Sequence, residues 1–210
     1  MDDCVLAVCE LSNDLLYHKI PKDKLAYYVD GSLKAGIDAA RQYADVDLEG
    51  MYRQDGISVE YKEDGKGAFG MAYRGQITLS KDGCSLEIFR SSIRELAENS
   101  KNGAFPPLTY EQARDIHLAH EFFHYLEYRG NCFVSEALEP VTTMQVFGLK
   151  RRARINRCSE VSAHAFAKAL LRLPVLPNYY DYIYLINTKK MTPEAFEAMQ
   201  SKYENELNGA

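Results

Sequence analysis

The stretch TYEQARDIHLAHEFFHYLEYRG, residues 109 to 130, decides how the chain is read. Thr109 with Gln112 three residues on is a capping-box pattern. Gly130 is the residue type that closes a helix. The signals predict a helix over about 110–129. Inside it, His120, Glu121 and His124 spell His-Glu-x-x-His.

On a helix, His120 and His124 stand one turn apart and only ~40° apart around the axis. Their imidazoles can converge on one ion, and zinc accepts neutral imidazole nitrogen readily. Glu121 lies at the edge of the same face. It can reach a water on the ion without taking a ligand position. Zinc lowers the pKa of such a water to about 7. Glu121 would then act as general base for attack on a carbonyl carbon and pass the proton to the leaving amine. The pattern therefore works as a unit.

A catalytic zinc needs a third protein ligand and one open position. His117 precedes His120 by three residues, but three ligands from one helix strain tetrahedral closure. His117 is expected to support the site or to face the core. Glu136 and Glu139 lie in a stretch with nothing to order them. Glu160 opens a second expected helix and can close the triangle from another direction. His164, four residues later on the same face, can ligate or hydrogen-bond the ligand set. The reading favours Glu160 as ligand and His164 as support.

Outward from the motif, apolar spacing predicts helices over 4–17 and 32–44. ISVEY (57–61), FGMAY (69–73), QITLS (76–80) and SLEIF (85–89) alternate with period two between Gly-containing turns. They predict a small antiparallel sheet of three to four strands, either QITLS or SLEIF being a possible edge for an extended substrate. Ser92 with Glu95 is a second capping-box pattern, placing a helix over 93–101. Residues 131–148 read as irregular. A helix over 153–173 should be stopped by Pro174. PNYYDYIYLIN (177–187) reads as amphipathic packing. Thr192-Pro193 starts a last helix. The fold class is α+β, with helices packed on the sheet. The partition is one domain, 1–210, with a core at about 30–175 and a C-terminal helical extension over 176–210.

Two segments resemble the ImmA/IrrE family of zinc metallopeptidases. ARDIHLAHEFFH (113–124) is similar to the family's zinc helix. EVSAHAFAKALLRLP (160–174) is similar to its Glu-x-Glu-Ala-Asn-x-Phe-Ala run ending in Leu-Leu-x-Pro. The resemblance implies His120, His124 and Glu160 as zinc ligands and Glu121 as base. It implies cleavage of a helix-turn-helix repressor in the regulation of phage or mobile elements. The chain departs from the family at Ser162, where a second Glu is usual, and at His164, where Asn is usual. An extra residue precedes Pro174. Phe123 replaces a small residue and is expected to narrow the cleft floor.

The net charge is −5, so no direct nucleic-acid binding is expected. No apolar run is long enough to cross a bilayer, so no membrane partner is expected. The acidic start, MDDCVLAVCELSND, does not read as a secretory signal. The five cysteines, an odd number without a Cys-x-x-Cys pair, point to reduced thiols and a cytoplasmic location. KRRARINR (150–157) reads as a solvated loop and first helical turn, with steering of an acidic partner as the functional alternative. Cys158 reads as an inert buried thiol beside Glu160. A zinc endopeptidase acting on a protein substrate is the leading expectation. The alternatives are a catalytically silent zinc-binding regulatory or interaction module of the same fold, and a metal-free α+β interaction protein.

Overall fold

The computed structural model describes residues 2–43, 47–64 and 73–209. Helix α5, Tyr110–Gly130, forms with the expected N-terminus: the Thr109 hydroxyl accepts from the Gln112 N–H, and the Gln112 side chain accepts from the Thr109 N–H. Its end differs by one residue. Gly130 is the last helical residue, and Asn131 takes the left-handed conformation at the cap (φ 44°, ψ 42°). Asn tolerates that region better than most residues because its short side chain bonds locally. One face of α5 buries Ala113, Ile116, Ala119, Phe122 and Phe123. Phe122 sits among the rings of Tyr43, Tyr52 and Phe166 at 5.2–6.5 Å. Burial of each such side chain contributes about 1.5–3 kcal/mol.

Helix α7, Arg157–Leu171, packs across α5. It starts four residues later than expected and ends before Pro174. Arg172 in the left-handed conformation (φ 54°) turns the chain out, and the Leu173 N–H returns to the Lys168 carbonyl. Behind α7 lies α2, Leu25–Ala40. Gly36 permits their approach, since a Cβ there would sit 2.1 Å from the Ser162 carbonyl oxygen. The Ser162 hydroxyl, at the position that departs from the family's Glu, donates to the Ser32 carbonyl across the same seam at 2.8 Å.

Three strands, β1 (Ser58–Lys62), β2 (Gly75–Ser80) and β3 (Gly83–Phe89), form one sheet in the order β1-β3-β2. β2 and β3 are the expected antiparallel hairpin. β1 is not the first strand of a meander: it pairs with β3 in parallel. The reason lies in β3, which is the most apolar of the three and buries Leu86, Ile88 and Phe89. It takes the centre, while β1 and β2 alternate half-buried and exposed residues as edges do. QITLS is therefore an edge strand, and it lies along α5. The FGMAY strand falls, apart from Tyr73, outside the described residues.

Helices α1 (Asp3–Leu11), α3 (Leu48–Gln54) and α4 (Arg90–Glu98) complete the N-terminal half. The Ser92–Glu95 capping box does not form. Phe89 is the N-cap of α4, and Glu95 instead accepts from the Tyr184 hydroxyl. After the short α6 (Val134–Ala137), the region read as irregular contains strand β4 (Val141–Val146), which forms a second antiparallel hairpin with β5 (Leu149–Ala153) just beyond it. Much of the basic run is thus strand rather than loop. Helices α8 (Asn178–Asn187) and α9 (Pro193–Asn208) follow, α9 capped by Thr192 as expected. The hydrophobic core takes in both ends of the chain: Leu6 and Val8 of α1 are fully buried, and so nearly are Tyr179 and Tyr180 of α8. Among the described residues no helix is long and apolar enough to cross a membrane.

Candidate metal centre

His120 and His124 of α5 meet Glu160 of α7 in a tight triangle. The Nε2 atoms of the two histidines lie 3.2 Å apart. Glu160 Oε2 lies 3.2 Å from His120 Nε2 and 3.7 Å from His124 Nε2. With metal–ligand bonds of about 2.0–2.1 Å, the edge of a tetrahedral zinc site is ~3.3 Å. The three donor atoms thus stand at the separations one cation requires, and the group can hold a metal ion. Two imidazole nitrogens this close need a cation or a proton between them, because two lone pairs repel.

The rest of the geometry serves that convergence. His124 Nδ1 lies 3.3 Å from Glu127 Oε2, which makes Nδ1 the donor and turns Nε2 towards Glu160. Glu127 is itself buried, and its other oxygen accepts from the Ser159 hydroxyl and the Val134 N–H, each at 2.8 Å. One carboxylate therefore ties His124 to the start of α7, which carries Glu160. Burial alone would lower the pKa of His124, but its bonds to Glu127 and Glu160 outweigh that and raise it to about 10. Burial would push Glu160 up, and the two histidines hold it well below the usual carboxylate range.

Glu121 points to the sheet rather than into the ligand triangle. Its Oε2 accepts from the Ile77 N–H of edge strand β2 at 3.2 Å. A Cβ on Gly75 would come within 3.2 Å of the Glu121 Cγ, so the glycine lets the strand lie close. Glu121, His120 and Glu160 line one cavity of about 260 Å³. A larger cavity of about 490 Å³, between Tyr17 and the end of α9, lies outside the ligand cluster.

The cavity is completed by groups from α1, α7, α8 and the residue before β2. Arg74, just before β2, pairs with Asp181 of α8 and lies over the Tyr184 ring, 5.3 Å from its centroid. Burial would raise Asp181, but Arg74 above all holds it below its ordinary value. Arg157 of α7 donates to Glu10 of α1 at 2.9 Å. Burial pushes Glu10 up, and this pairing only partly offsets it.

His117 lines the cavity without joining the triangle. Its Nδ1 donates to the Ala113 carbonyl at 2.8 Å, and burial lowers its pKa to about 4. His164 stacks edge-on to His120, with centroids 4.8 Å apart, and burial lowers it to about 3. It does not hydrogen-bond the ligand set as expected. Its Nδ1 is buried without a partner, and its Nε2 faces Glu10 at 3.9 Å. Phe123 is buried behind His124 against Phe166 and does not line the cavity. Glu136 and Glu139 are bound to Arg154 and Lys24 at the surface. Cys158 is buried, and burial pushes its thiol up to about 11.

The sequence reading missed Glu127, Arg74, Asp181 and Glu10. Glu127 had a local signal, three residues after His124 on the same helix. The other three come from distant elements and carry none. Models of known protein families, curated proteins and solved structures yield no match to this chain.

Proposed function

We propose that the chain is a zinc-dependent peptidase that cleaves a protein substrate. The observation that carries this reading is the triangle of His120 Nε2, His124 Nε2 and Glu160 Oε2, with edges of 3.2–3.7 Å. Two imidazoles and one carboxylate are a donor set for catalytic zinc, and three protein ligands leave a position open. A zinc ion held there supplies Lewis-acid activation of water and of the scissile carbonyl.

The chain's own residues do the rest. Glu121 has one oxygen held by the Ile77 N–H, so its other oxygen is the one that takes and returns a proton. Strand β2 offers an edge on which an extended peptide can pair beside Glu121. Arg74, fixed by Asp181 and Tyr184, puts positive charge on the cavity wall where a carbonyl oxygen gains negative charge. His117 and His164, neutral in their buried sites, keep that wall from repelling the cation. Resemblance to the ImmA/IrrE family supports a helix-turn-helix repressor as substrate. The cysteines, free among the described residues, agree with a reducing cytoplasm. Phe123 leaves the cavity open, which removes one motive for reading the site as silent.

The test joins metal analysis to cleavage. Wild type and Glu121→Gln should each carry about one zinc per chain, and His120→Ala should carry none. Cleavage of a repressor or peptide library, read by mass spectrometry, should be seen with wild type alone. Undiminished cleavage by Glu121→Gln would sink the proposed base, and zinc-free wild type would sink the site.

A further inference from the structure

We propose that the β4–β5 hairpin is a docking tip for an anionic lipid surface. Cross-strand pairs share a face. Val146 with Leu149 and Met144 with Arg151 are such pairs, and they lie next to the turn. Phe147, Leu149, Met144 and Val146 are 102%, 80%, 58% and 48% exposed, so the outer end of the hairpin is apolar and open to water. Only the base is buried, at Val141.

Phe147 has no internal reason to be there. It occupies the left-handed region (φ 46°), followed by Gly148 at φ 82°, in a turn that favours Asn or Gly. A bulky residue there is disfavoured by its backbone, and this one buries nothing in return. An external apolar phase would supply that return.

Charge decides which phase. Residues 141–154 hold four cations, Lys150, Arg151, Arg152 and Arg154, and no acid. Since the whole chain is at −5, the remainder is left at −9. Arg154 pairs with Glu136, whereas Lys150, Arg151 and Arg152 have no ion-pair partner among the described residues. The cations directly follow the apolar tip along β5. Going inward from the tip, the order is apolar, then basic, then protein body. A bilayer presents the matching order, hydrocarbon beneath anionic headgroups. A ribbon built for nucleic acid would lead with its cations. The strongly acidic body opposes any approach other than hairpin first. This inference does not depend on the peptidase reading.

The test uses the full chain and vesicles of phosphatidylcholine with or without phosphatidylglycerol, in a sedimentation assay. The wild type should partition onto the anionic vesicles and not the neutral ones, with partition falling as salt rises. Phe147→Asp should weaken it at least about tenfold, and Lys150→Glu with Arg151→Glu should abolish it. Circular dichroism and zinc content should match wild type in all variants. Absence of wild-type partition overturns the proposal, as does unchanged partition of Phe147→Asp. Duplex-DNA binding without vesicle binding overturns it in favour of nucleic acid. A dimer lost in Phe147→Asp, again without vesicle binding, overturns it in favour of self-association.

Discussion

Two antiparallel hairpins stand among the described residues, and they are held in opposite ways. β2–β3 is fastened along the edge that faces α5: the Ile77 N–H is taken by Glu121, and Arg74 just before the strand is taken by Asp181. β4–β5 is fastened at its root, through Val141, and its outer residues touch water. A strand that serves a reaction must hold its register to fractions of an ångström. A strand that meets a soft partner need not. The contrast predicts that changes around β2 alter chemistry, and changes at the tip of β4–β5 leave chemistry and stability alone.

The largest expected effect is at Glu121, where Gln can still accept from Ile77 but cannot take a proton. Turnover should fall by a factor of about 10² or more with metal retained; steady-state cleavage rates check it. A second effect, on stability rather than turnover, is on pH dependence. His117 and His164 have folded pKa values of about 4 and about 3, below the ordinary 6.5. Between pH 6.5 and 4.5 the unfolded chain binds protons that the folded chain refuses. Stability of the metal-free protein therefore falls as pH is lowered through that window, by up to about 1.4 kcal/mol per pH unit for each histidine. Denaturant midpoints should show the slope. It should shrink in His117→Phe and persist in a variant lacking the hairpin cations. Glu127→Ala comes next. It strands the Nδ1–H of His124 and should weaken zinc binding about 10–100-fold in competition with a chelating dye. Leu149→Ser should be the smallest, within about 0.5 kcal/mol of wild-type stability in the same denaturant assay. A larger loss there would erase the contrast between the hairpins.

What the sequence disclosed follows the range of the interactions. Thr109, Gln112 and the His-Glu-x-x-His spacing act within one or two helical turns, so α5 and two members of the candidate metal cluster were legible. Glu160 was legible because it opens a helix with its own clear period. Asp181 and Arg74 were not, since their pairing joins residues 107 apart. The Ser92–Glu95 box failed for the same reason: Tyr184, from a helix 89 positions away, claims Glu95. β1 alternates like any edge strand, and nothing local in SVEYK says which neighbour it takes or in which direction. The β4–β5 hairpin was hidden because its turn places Phe where turn chemistry favours Asn or Gly, and because its outer end has no buried face to create a period.

Gly36 lines neither the candidate metal triangle nor its cavity, yet the placement of Glu160 depends on it. Glu160 rides on α7, and α7 lies as near to α2 as a missing side chain allows. A methyl group at position 36 would act as a shim between the two helices. If the triangle holds zinc as proposed, it would report that thickness as a loss of affinity, and metal binding becomes a gauge of helix spacing.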